Sequence, residues 1–442
     1  PAPPSQQVLA LMGPSGAGKT TLLNMLTLEK SGGMPLGNIT LNGHPFTYEL
    51  YKRHACYVTQ TDRLWAFLTA REHLEYATSL YLPNVSIGER LTAVDELLKE
   101  IGLEGAQHTR AGNEFFKGLS GGQKRRLSLG MALCKKPHVV FLDEPTSGLD
   151  AASAAGIMHF LKETAARINI AIICTIHQPS TSVFAGFDNV AFLTGGKMAY
   201  IGGASALPEY LEKLGKPLPP NSNPADFMLD LINRDFSEAS TVDHMVSSWS
   251  ERAPAQQAVK KATLNAPPAR SACAQLSTLL SKHSTIVFRD PIVYLSRPPI
   301  YIIFCMFLTI LFIKSRQLQQ DQALPRLFLI IFICVIPGMF SLVTVYMAQV
   351  ERLAVQKEIK DGMYAPASYL LVQMVILAPM VFFLAFWVLI PAAYPTANFS
   401  WEGFGPFLWV YAFKVSAATH VALFPQPPPV ILHPHPPPVI LH

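Results

Sequence analysis

The sequence predicts an α/β domain with a largely parallel sheet, followed by an all-α domain that crosses a membrane. Between residues 8 and 201, short β-rich runs alternate with helical stretches, as in a parallel sheet with crossover helices. A glycine-rich turn separates the first of these strands from the first helix. Beyond residue 300 the chain becomes strongly apolar and contains long stretches without a charged residue. These observations predict the two-part architecture.

The overall composition also fits a soluble part joined to a membrane part. Half of the 442 residues are hydrophobic and only 15% are charged, which is too apolar for an ordinary soluble enzyme. The net charge of +5 is small, and no basic tract is interleaved with aromatic residues, so we expect no nucleic-acid partner. The six cysteines are scattered without a metal-binding spacing, which favours reduced, buried thiols.

The glycine-rich turn carries the strongest local signal. Residues 13–20 fit the P-loop pattern G-x-x-x-x-G-K-[ST]. Its glycines allow the backbone N–H groups to turn inward around phosphate oxygens at a helix N-terminus. We expect Lys19 to reach the outer phosphates and the Thr20 hydroxyl to ligate Mg²⁺. The candidate nucleotide-binding residues of this turn are Gly13, Pro14, Ser15, Gly16, Ala17, Gly18, Lys19, Thr20 and Thr21. An ordinary glycine-rich turn is the alternative, and the Lys-Thr pair behind a strand argues against it.

Periodicity and composition assign the other elements of the first domain. The predicted strands cover residues 8–12, 56–58, 139–142, 170–175 and 190–193. The predicted helices cover residues 70–80, 87–101, 122–134 and 152–167. A polar, Ala- and Ser-rich stretch over 236–270 reads as a linker, and 272–289 has helical spacing.

Two carboxylates follow the apolar strand predicted at 139–142. In P-loop proteins a carboxylate at such a strand end holds Mg²⁺ opposite the hydroxyl of the loop, which predicts a metal-binding role for Asp143. Glu144 is then expected to polarise a water in line with the γ-phosphate, as a general base. A solvated acidic pair after a strand is the alternative.

A second glycine-rich helix start follows at Ser120, Gly121, Gly122 and Gln123. Ser120 could serve simply as a helix cap. The other interpretation is a second anion site, in which the glycines expose backbone amides at a helix N-terminus. Two phosphate-binding helix ends in one chain suggest that two chains share each ATP between them.

Together these motifs resemble the ATP-binding-cassette (ABC) transporter superfamily. Residues 13–20 are similar to its Walker A motif, 119–123 to its signature and 139–144 to its Walker B motif. The resemblance implies an ABC-type nucleotide-binding domain that binds ATP and Mg²⁺ and hydrolyses ATP at composite sites in a dimer.

Three further residues match motifs of the same superfamily. Gln60 resembles its Q-loop residue, Asp150 its D-loop residue and His177 its switch histidine. The resemblance implies that Gln60 is a catalytic residue and a third Mg²⁺ contact beside Thr20 and Asp143. It also implies that His177 contacts the γ-phosphate and that Asp150 belongs to the nucleotide site.

The domain order resembles the G subfamily, of the White and pleiotropic-drug-resistance type, in which the nucleotide domain comes first. Residues 223–227 are similar to a hallmark of this subfamily. Further similarity lies at Glu351, Arg352, Glu358, Tyr364, Tyr369 and Pro379. The intact motifs are typical of a half-transporter, which pairs with an identical or a related subunit. The resemblance covers residues 8–395, and the missing first strands and membrane helices indicate truncation at both ends.

We therefore expect four parts along the chain. They are an ABC nucleotide-binding domain lacking its first strands at 1–215, a linker and connecting helix at 216–290, a partial transmembrane domain of three to four helices at 291–424, and a disordered Pro/His repeat tail at 425–442. Membrane helices are expected at 300–313, 327–348 and 369–393, with a weaker one at 404–424. A buried soluble helix is the alternative for the first.

The resemblance implies ATP-driven export of a hydrophobic substrate, namely a lipid, a sterol or a xenobiotic. The protein would be a multi-pass membrane protein with a cytoplasmic nucleotide domain, in the plasma membrane. A membrane-tethered ATPase with a regulatory role and a non-functional fragment are alternatives. A soluble ATPase acting on ribosomes or DNA is disfavoured, because the stretches at 327–348 and 369–393 carry no charge.

Overall fold

A computed structural model of the chain falls into two compact units. The first comprises Pro1–Gln275 with Lys357–Ala365, and the second comprises Leu276–Gln356 with Pro366–His442. The structure describes residues 8–29, 37–82, 85–235, 237–252, 271–291, 297–317, 319–388, 390, 402, 404–406, 408–410 and 412. The repeat tail expected at 425–442 lies outside the described residues, as does most of the predicted segment at 404–424.

The first unit is built on a six-stranded sheet. Its strands are β1 (Val8–Met12), β4 (Ala55–Val58), β5 (Val139–Asp143), β6 (Ala171–Thr175), β7 (Asn189–Thr194) and β8 (Lys197–Gly203), and a separate antiparallel pair joins β2 (Thr40–Leu41) to β3 (His44–Pro45). The strand order is β4-β5-β6-β1-β7-β8, and only the pair β7–β8 is antiparallel. This confirms the predicted, largely parallel sheet.

The strand β8 was missed by the sequence prediction. It follows β7 through Gly195 and Gly196, which both adopt positive φ angles. A pair of glycines between two apolar runs is a strong signal for a tight hairpin, because both central residues of the favoured turns need such angles. The sequence therefore contained the signal for this last strand.

Helices cover both faces of the sheet. They are α1 (Lys19–Leu26), α2 (Tyr48–His54), α3 (Ala70–Tyr81), α4 (Ile87–Glu100), α5 (Gly121–Leu133), α6 (Ala151–Ile168), α7 (Thr181–Phe184), α8 (Leu207–Lys213), α9 (Pro224–Ile232) and α10 (Ala239–Arg252). The predicted helices at 70–80, 87–101, 122–134 and 152–167 all agree with these bounds to within one residue.

Local capping explains why these helices start where they do. Reciprocal capping boxes join Thr69 to Glu72 at the start of α3 and Ser86 to Glu89 at the start of α4. In each, the hydroxyl accepts a hydrogen bond from a backbone N–H, and the carboxylate accepts one from the capping residue. The first helical turn thus satisfies N–H groups that have no carbonyl partner inside the helix.

The core lies on both sides of the sheet. Val8, Ala10 and Met12 of β1 belong to one buried cluster, while Leu9 and Leu11 belong to another. Successive side chains of a strand point to opposite faces, so a strand buried on both faces needs a continuous apolar run. This is why β1 reads as five apolar residues in sequence, directly before the glycine-rich turn.

The first unit also includes Lys357–Ala365, from a distant part of the chain. The ammonium group of Lys135 donates to the Asp361 carbonyl oxygen at 2.7 Å, and the indole Nε1 of Trp65 donates to Glu358 at 2.7 Å. Glu358 also accepts a hydrogen bond from Tyr364 at 2.7 Å. Each of these contacts is buried, so the segment is part of the packed interior.

The described elements of the second unit are helical. They are most of α11 (Ala272–Arg289), followed by α12 (Arg297–Leu311), α13 (Ala323–Lys360) up to the boundary at Gln356, and α14 (Pro366–Val388). Within the ranges that the structure describes, no helix combines the length and the apolar character needed to span a bilayer.

Candidate functional site

The glycine-rich turn joins β1 to α1. Gly18 has a φ of 97° and directly precedes α1, and Gly16 has a φ of 74°. Such angles are unfavourable for residues with a side chain. At Gly13, a Cβ atom would overlap the carbonyl oxygen of Leu193. The glycines at these three positions therefore meet requirements that a larger residue would violate.

Lys19 lies over this turn. Its ammonium group donates to the carbonyl oxygens of Gly13, at 2.7 Å, and Pro14, at 3.0 Å. Burial lowers the pKa of Lys19, while the carboxylates of Glu144 and Asp143 raise it. The charge is thus held inside the loop by carbonyl groups that a phosphate could replace. Thr20 and Thr21 are exposed on the first turn of α1.

Asp143 is held in place at the end of β5. Its carboxylate accepts hydrogen bonds from the hydroxyl of Thr175 at 2.6 Å and from the hydroxyl of Tyr57 at 3.3 Å. Burial and the nearby Asp143 charge raise the pKa of Tyr57, which keeps this hydroxyl protonated as a donor. Both donors lie on the strands that flank β5, and the sequence interpretation missed them.

Glu144 follows immediately and adopts an unusual backbone conformation. Its φ of 45° lies in the left-handed region, which is uncommon for residues other than glycine. Its backbone N–H donates to the hydroxyl of Thr175 at 2.9 Å. Its side chain accepts a hydrogen bond from Nε2 of Gln60 at 2.7 Å. The Gln60 and Glu144 side chains, 84 residues apart in sequence, are therefore in direct contact.

The topology explains why these residues meet. The strands β4, β5, β6 and β1 are neighbours and run parallel, so their carboxyl ends lie at one edge of the sheet. This edge is where ligands bind in open α/β sheets. Lys19, Gln60, Asp143 and Glu144 all follow one of these strands. His177 also does, two residues after β6, and it is exposed there.

Ser120, Gln123 and Asp150 make their hydrogen bonds within their own helix starts. Oγ of Ser120 accepts from the Gln123 N–H at 3.3 Å, and the Gln123 side chain accepts from the Ser120 N–H at 2.9 Å. The capping role considered for Ser120 is thus present. Asp150 caps α6 through the N–H and hydroxyl of Ser153, and these bonds lower the pKa of Asp150.

Residues 223–227 are tied to the loop that follows His177. The Asn223 amide donates to the Pro179 carbonyl oxygen at 2.7 Å and to Asp226 at 3.0 Å. Its carbonyl group accepts from the N–H of Ala225 at 3.1 Å and so begins α9. One side chain therefore caps a helix and fixes the neighbouring loop.

The donor chemistry suits a magnesium–nucleotide complex. Thr20, Gln60 and Asp143 offer a hydroxyl, an amide and a carboxylate oxygen, and Mg²⁺ prefers oxygen ligands and usually keeps one or two carboxylates beside water and phosphate. Among the described residues, no cluster of three or more His, Cys, Asp and Glu side chains could hold a metal ion by itself.

Comparison with known protein families agrees with this geometry. The model of the ABC transporter family matches residues 4–147, and this match implies ATP binding. Two models of the ABC-2 type transporter match residues 274–424 and 177–254. A nucleotide-binding part is thus followed by a part of the kind found in ABC-2 membrane domains.

Several curated proteins are similar over about half of the chain. ABC transporter G family member 12 from Dictyostelium discoideum is 41% identical over 250 residues, which cover 55% of this chain and 38% of the relative. ABC transporter G family member 7 from Arabidopsis thaliana is 42% identical over 241 residues, which cover 53% of this chain and 33% of the relative.

A third relative has the same name pattern. ABC transporter G family member STR from Medicago truncatula is 39% identical over 235 residues, covering 53% of this chain and 28% of the relative. The chain therefore matches between about a quarter and two fifths of the length of these relatives. In its two matched parts, in their order along the chain and in these relatives, the chain is similar to ABC transporters of the G family.

Proposed function

We propose that the chain is a subunit of an ATP-driven exporter for a hydrophobic molecule, such as a lipid, a sterol or a xenobiotic. The observation that supports this most directly is that Lys19, Asp143 and Glu144 lie at the carboxyl ends of β1 and β5, two parallel strands that both pair with β6. The match to an ABC-2 type transporter in the second half adds the membrane component. Each subunit would then carry both a nucleotide-binding part and a membrane part.

The turn of residues 13–21 would hold the phosphates of ATP. Lys19 would exchange the carbonyl oxygens of Gly13 and Pro14, to which its ammonium group donates, for phosphate oxygens. Mg²⁺ bound by Thr20, Gln60 and Asp143 would neutralise charge on the outer phosphates. The hydrogen bonds from Thr175 and Tyr57 fix the orientation of the Asp143 carboxylate, which supports this role.

Glu144 would act as the general base for the attacking water. Its carboxylate is bound by the amide of Gln60. Release by this amide would free the carboxylate to accept a proton from the attacking water, and the amide oxygen of Gln60 would help to hold Mg²⁺. His177 would contact the γ-phosphate from the end of the neighbouring strand β6.

The start of α5 would complete the site of a partner subunit. Ser120 and Gln123 already satisfy each other in the capping box, and the N–H groups of Gly121 and Gly122 have no helical carbonyl to bind. These amides, with the partial positive charge of the helix end, would face the γ-phosphate bound by the partner. Asp150 would lie near the same junction. ATP would thereby favour the closed pair over the open pair.

The second half would embed the protein in a membrane as a half-transporter, paired with an identical or a related subunit. The uncharged stretches at 327–348 and 369–393 and the ABC-2 match support this proposal. We further propose the plasma membrane as its location and a cytoplasmic nucleotide domain, because the nucleotide site needs cytosolic ATP. Substrates would enter from the lipid phase.

Transport measurements with a hydrolysis-deficient variant test the proposal. The full chain and Glu144→Gln would be compared in inside-out vesicles, with MgATP and a fluorescent lipid as the probe. We expect ATP-dependent uptake by the wild type. Glu144→Gln should bind ATP normally, while hydrolysis falls by roughly 10²- to 10⁴-fold, the usual contribution of a general base.

Three outcomes would contradict parts of this proposal. Wild-type hydrolysis by Glu144→Gln would remove Glu144 from the role of base. Hydrolysis without uptake of any hydrophobic probe would favour a membrane-tethered regulatory ATPase. Recovery of the chain from the cytosolic fraction without detergent would argue against a membrane transporter altogether.

A further inference from the structure

Arg125 is a buried cation in the second turn of α5, and its side chain reaches out of its own helix. Its guanidinium donates to the carbonyl oxygens of Thr59 at 2.7 Å, Gln60 at 2.6 Å and Glu144 at 3.3 Å. The residue is 4% exposed. The group thus joins the segment after β4 to the residue after β5, and both segments carry proposed catalytic residues.

The carbonyl contacts matter more here than the ion pair. The guanidinium also contacts the carboxylate of Asp62, but at 3.4 Å this distance is longer than those to Thr59 and Gln60. A planar guanidinium presents several N–H groups in a rigid fork and can bind separate acceptors at once. An arginine is therefore suited to hold two loops at a fixed spacing, because its donors lie on separate nitrogen atoms of one rigid plane, whereas all N–H groups of a lysine lie on one nitrogen.

The contact with Glu144 falls at a strained position. A residue other than glycine at a φ of 45° persists only where the surroundings hold it there. The hydroxyl of Thr175 binds the N–H on one side of Glu144, and Arg125 binds the carbonyl group on the other. The two peptide groups that flank the Glu144 Cα are therefore both anchored, and the direction of its side chain follows from them.

We propose that Arg125 is a positioning residue for ATP hydrolysis, which fixes the backbones of Gln60 and Glu144 relative to each other. This inference rests on the proposed function of the site. Within the part of the chain that the structure describes, the hydrogen bonds of Arg125 go to Thr59, Gln60, Asp62 and Glu144 and not to the nucleotide turn. Its loss should therefore slow hydrolysis and leave the binding of ATP unchanged.

Arg126 provides a matched control on the same helix. Its guanidinium also binds two backbone carbonyl oxygens, those of Ile101 at 3.1 Å and Gly102 at 3.2 Å, on a segment without proposed catalytic residues. Arg125→Lys and Arg126→Lys make the same chemical change in neighbouring positions. They differ in the backbone that loses its hydrogen bonds, which follows β4 and β5 for Arg125 and follows α4 for Arg126.

The experiment measures kcat and KM for MgATP, direct ATP binding and the thermal midpoint on the purified full chain. For Arg125→Lys we expect kcat to fall by about 10- to 100-fold, the effect of misplacing a reacting group by about 1 Å. Its KM and ATP binding should stay within about threefold of wild type, since the interaction lost acts on the chemical step. Arg126→Lys should keep the wild-type kcat, whatever its effect on the midpoint.

A second variant separates the effect of the Arg125 hydrogen bonds to carbonyl oxygens from that of its ion pair with Asp62. Asp62→Asn removes the carboxylate near Arg125 but leaves the carbonyl contacts, so its kcat should remain close to that of the wild type. A loss of kcat in Asp62→Asn as large as in Arg125→Lys would overturn the proposal, because the ion pair would then be what matters. Arg125→Gln, which retains one N–H₂ group, is expected to show the same split as Arg125→Lys.

The remaining outcomes also decide the matter. Wild-type kcat in Arg125→Lys, equal losses in Arg125→Lys and Arg126→Lys, or failure of both Arg125 variants to bind ATP would each overturn the positioning role. A wild-type protein without ATP hydrolysis, or an active Glu144→Gln, would instead overturn the proposed function. The two failures are therefore distinguishable.

Discussion

Gln60 and Glu144 are bound to each other, with Nε2 of Gln60 donating to Oε2 of Glu144 at 2.7 Å. The two residues follow the neighbouring parallel strands β4 and β5, which pair from Ala55 with Val139 to Val58 with Leu142. The proposed base is thus held in a hydrogen bond with the proposed metal ligand. This bond uses the amide nitrogen of Gln60 and leaves its amide oxygen for a metal ion.

Replacement of Gln60 tests its role toward the metal. In Gln60→Ala we expect the Mg²⁺ concentration for half-maximal hydrolysis to rise by roughly 10- to 100-fold, because one proposed oxygen ligand is lost. A titration of ATPase activity with Mg²⁺ at saturating ATP measures this shift. Gln107→Ala is the control, since its side chain binds Arg71 at 2.7 Å and lies on no strand end of the site. An unchanged Mg²⁺ dependence in Gln60→Ala would exclude the metal role.

The close approach at Gly13 predicts a clear effect on stability. In Gly13→Ala the new methyl group would overlap the Leu193 carbonyl oxygen and lie 3.0 Å from Cβ of Ala17. The backbone must shift to make room for the methyl group, and this shift should lower the free energy of unfolding of the first unit by about 1–3 kcal/mol, as overpacking usually does. It should also weaken ATP binding, because the turn would shift. Thermal midpoints and ATP titrations measure both effects.

Gly156 offers the matched control for this substitution. It lies inside α6, and no atom comes within 4 Å of a Cβ built there. Gly156→Ala should therefore stabilise the protein by up to about 1 kcal/mol, since alanine favours a helix over glycine. Equal stability of Gly13→Ala and wild type would mean that β7 can move away from the turn.

A histidine pair, of which His54 is buried and His138 half-buried, predicts acid sensitivity. The Nδ1 atoms of His54 and His138 lie 3.0 Å apart, so one of them accepts a hydrogen bond from the other. Burial, the neighbouring His138 and the cations of Lys135 and Arg53 lower the pKa of His54 to about 4. Burial also lowers the pKa of His138.

The sign of the effect follows from proton uptake. Between pH 6.5 and about 4 the unfolded chain binds protons at these histidines that the folded protein does not. Stability is thus fully present above pH 6.5 and is lost toward pH 4, by on the order of 3 kcal/mol. Thermal midpoints across this range should fall less steeply in His54→Gln. His159→Gln, whose side chain is 73% exposed, should behave like the wild type, and equal pH slopes for wild type and His54→Gln would contradict the prediction.

Much of the site was predictable because its signals are local. Each motif can be recognised from a few consecutive residues: the apolar run of β1, the glycines of the turn and the carboxylates at the end of β5. The parallel sheet then brings the carboxyl ends of these strands to one edge. The capping box of Ser120 and Gln123 is likewise a spacing that sequence reveals. Helix bounds agreed to within one residue for the same reason.

The other parts depend on contacts between distant residues. Lys124, Arg125 and Arg126 look alike in sequence, and only packing shows that Arg125 is the one that turns toward Gln60 and Glu144. The hydroxyl of Tyr51 binds Asp361, 310 residues later, with no local pattern to reveal it. The contact of Thr175 with Asp143, however, could have been predicted, because Thr175 ends the strand next to β5.

The Asn223 amide, described above at the start of α9, has a mechanical consequence. Through the Pro179 carbonyl it fastens α9 to the chain two residues beyond His177. A displacement of that histidine during a catalytic cycle would therefore drag α9 with it or rupture this tether. ATP hydrolysis at the sheet edge would in this way move α9, although α9 supplies no residue to the nucleotide turn.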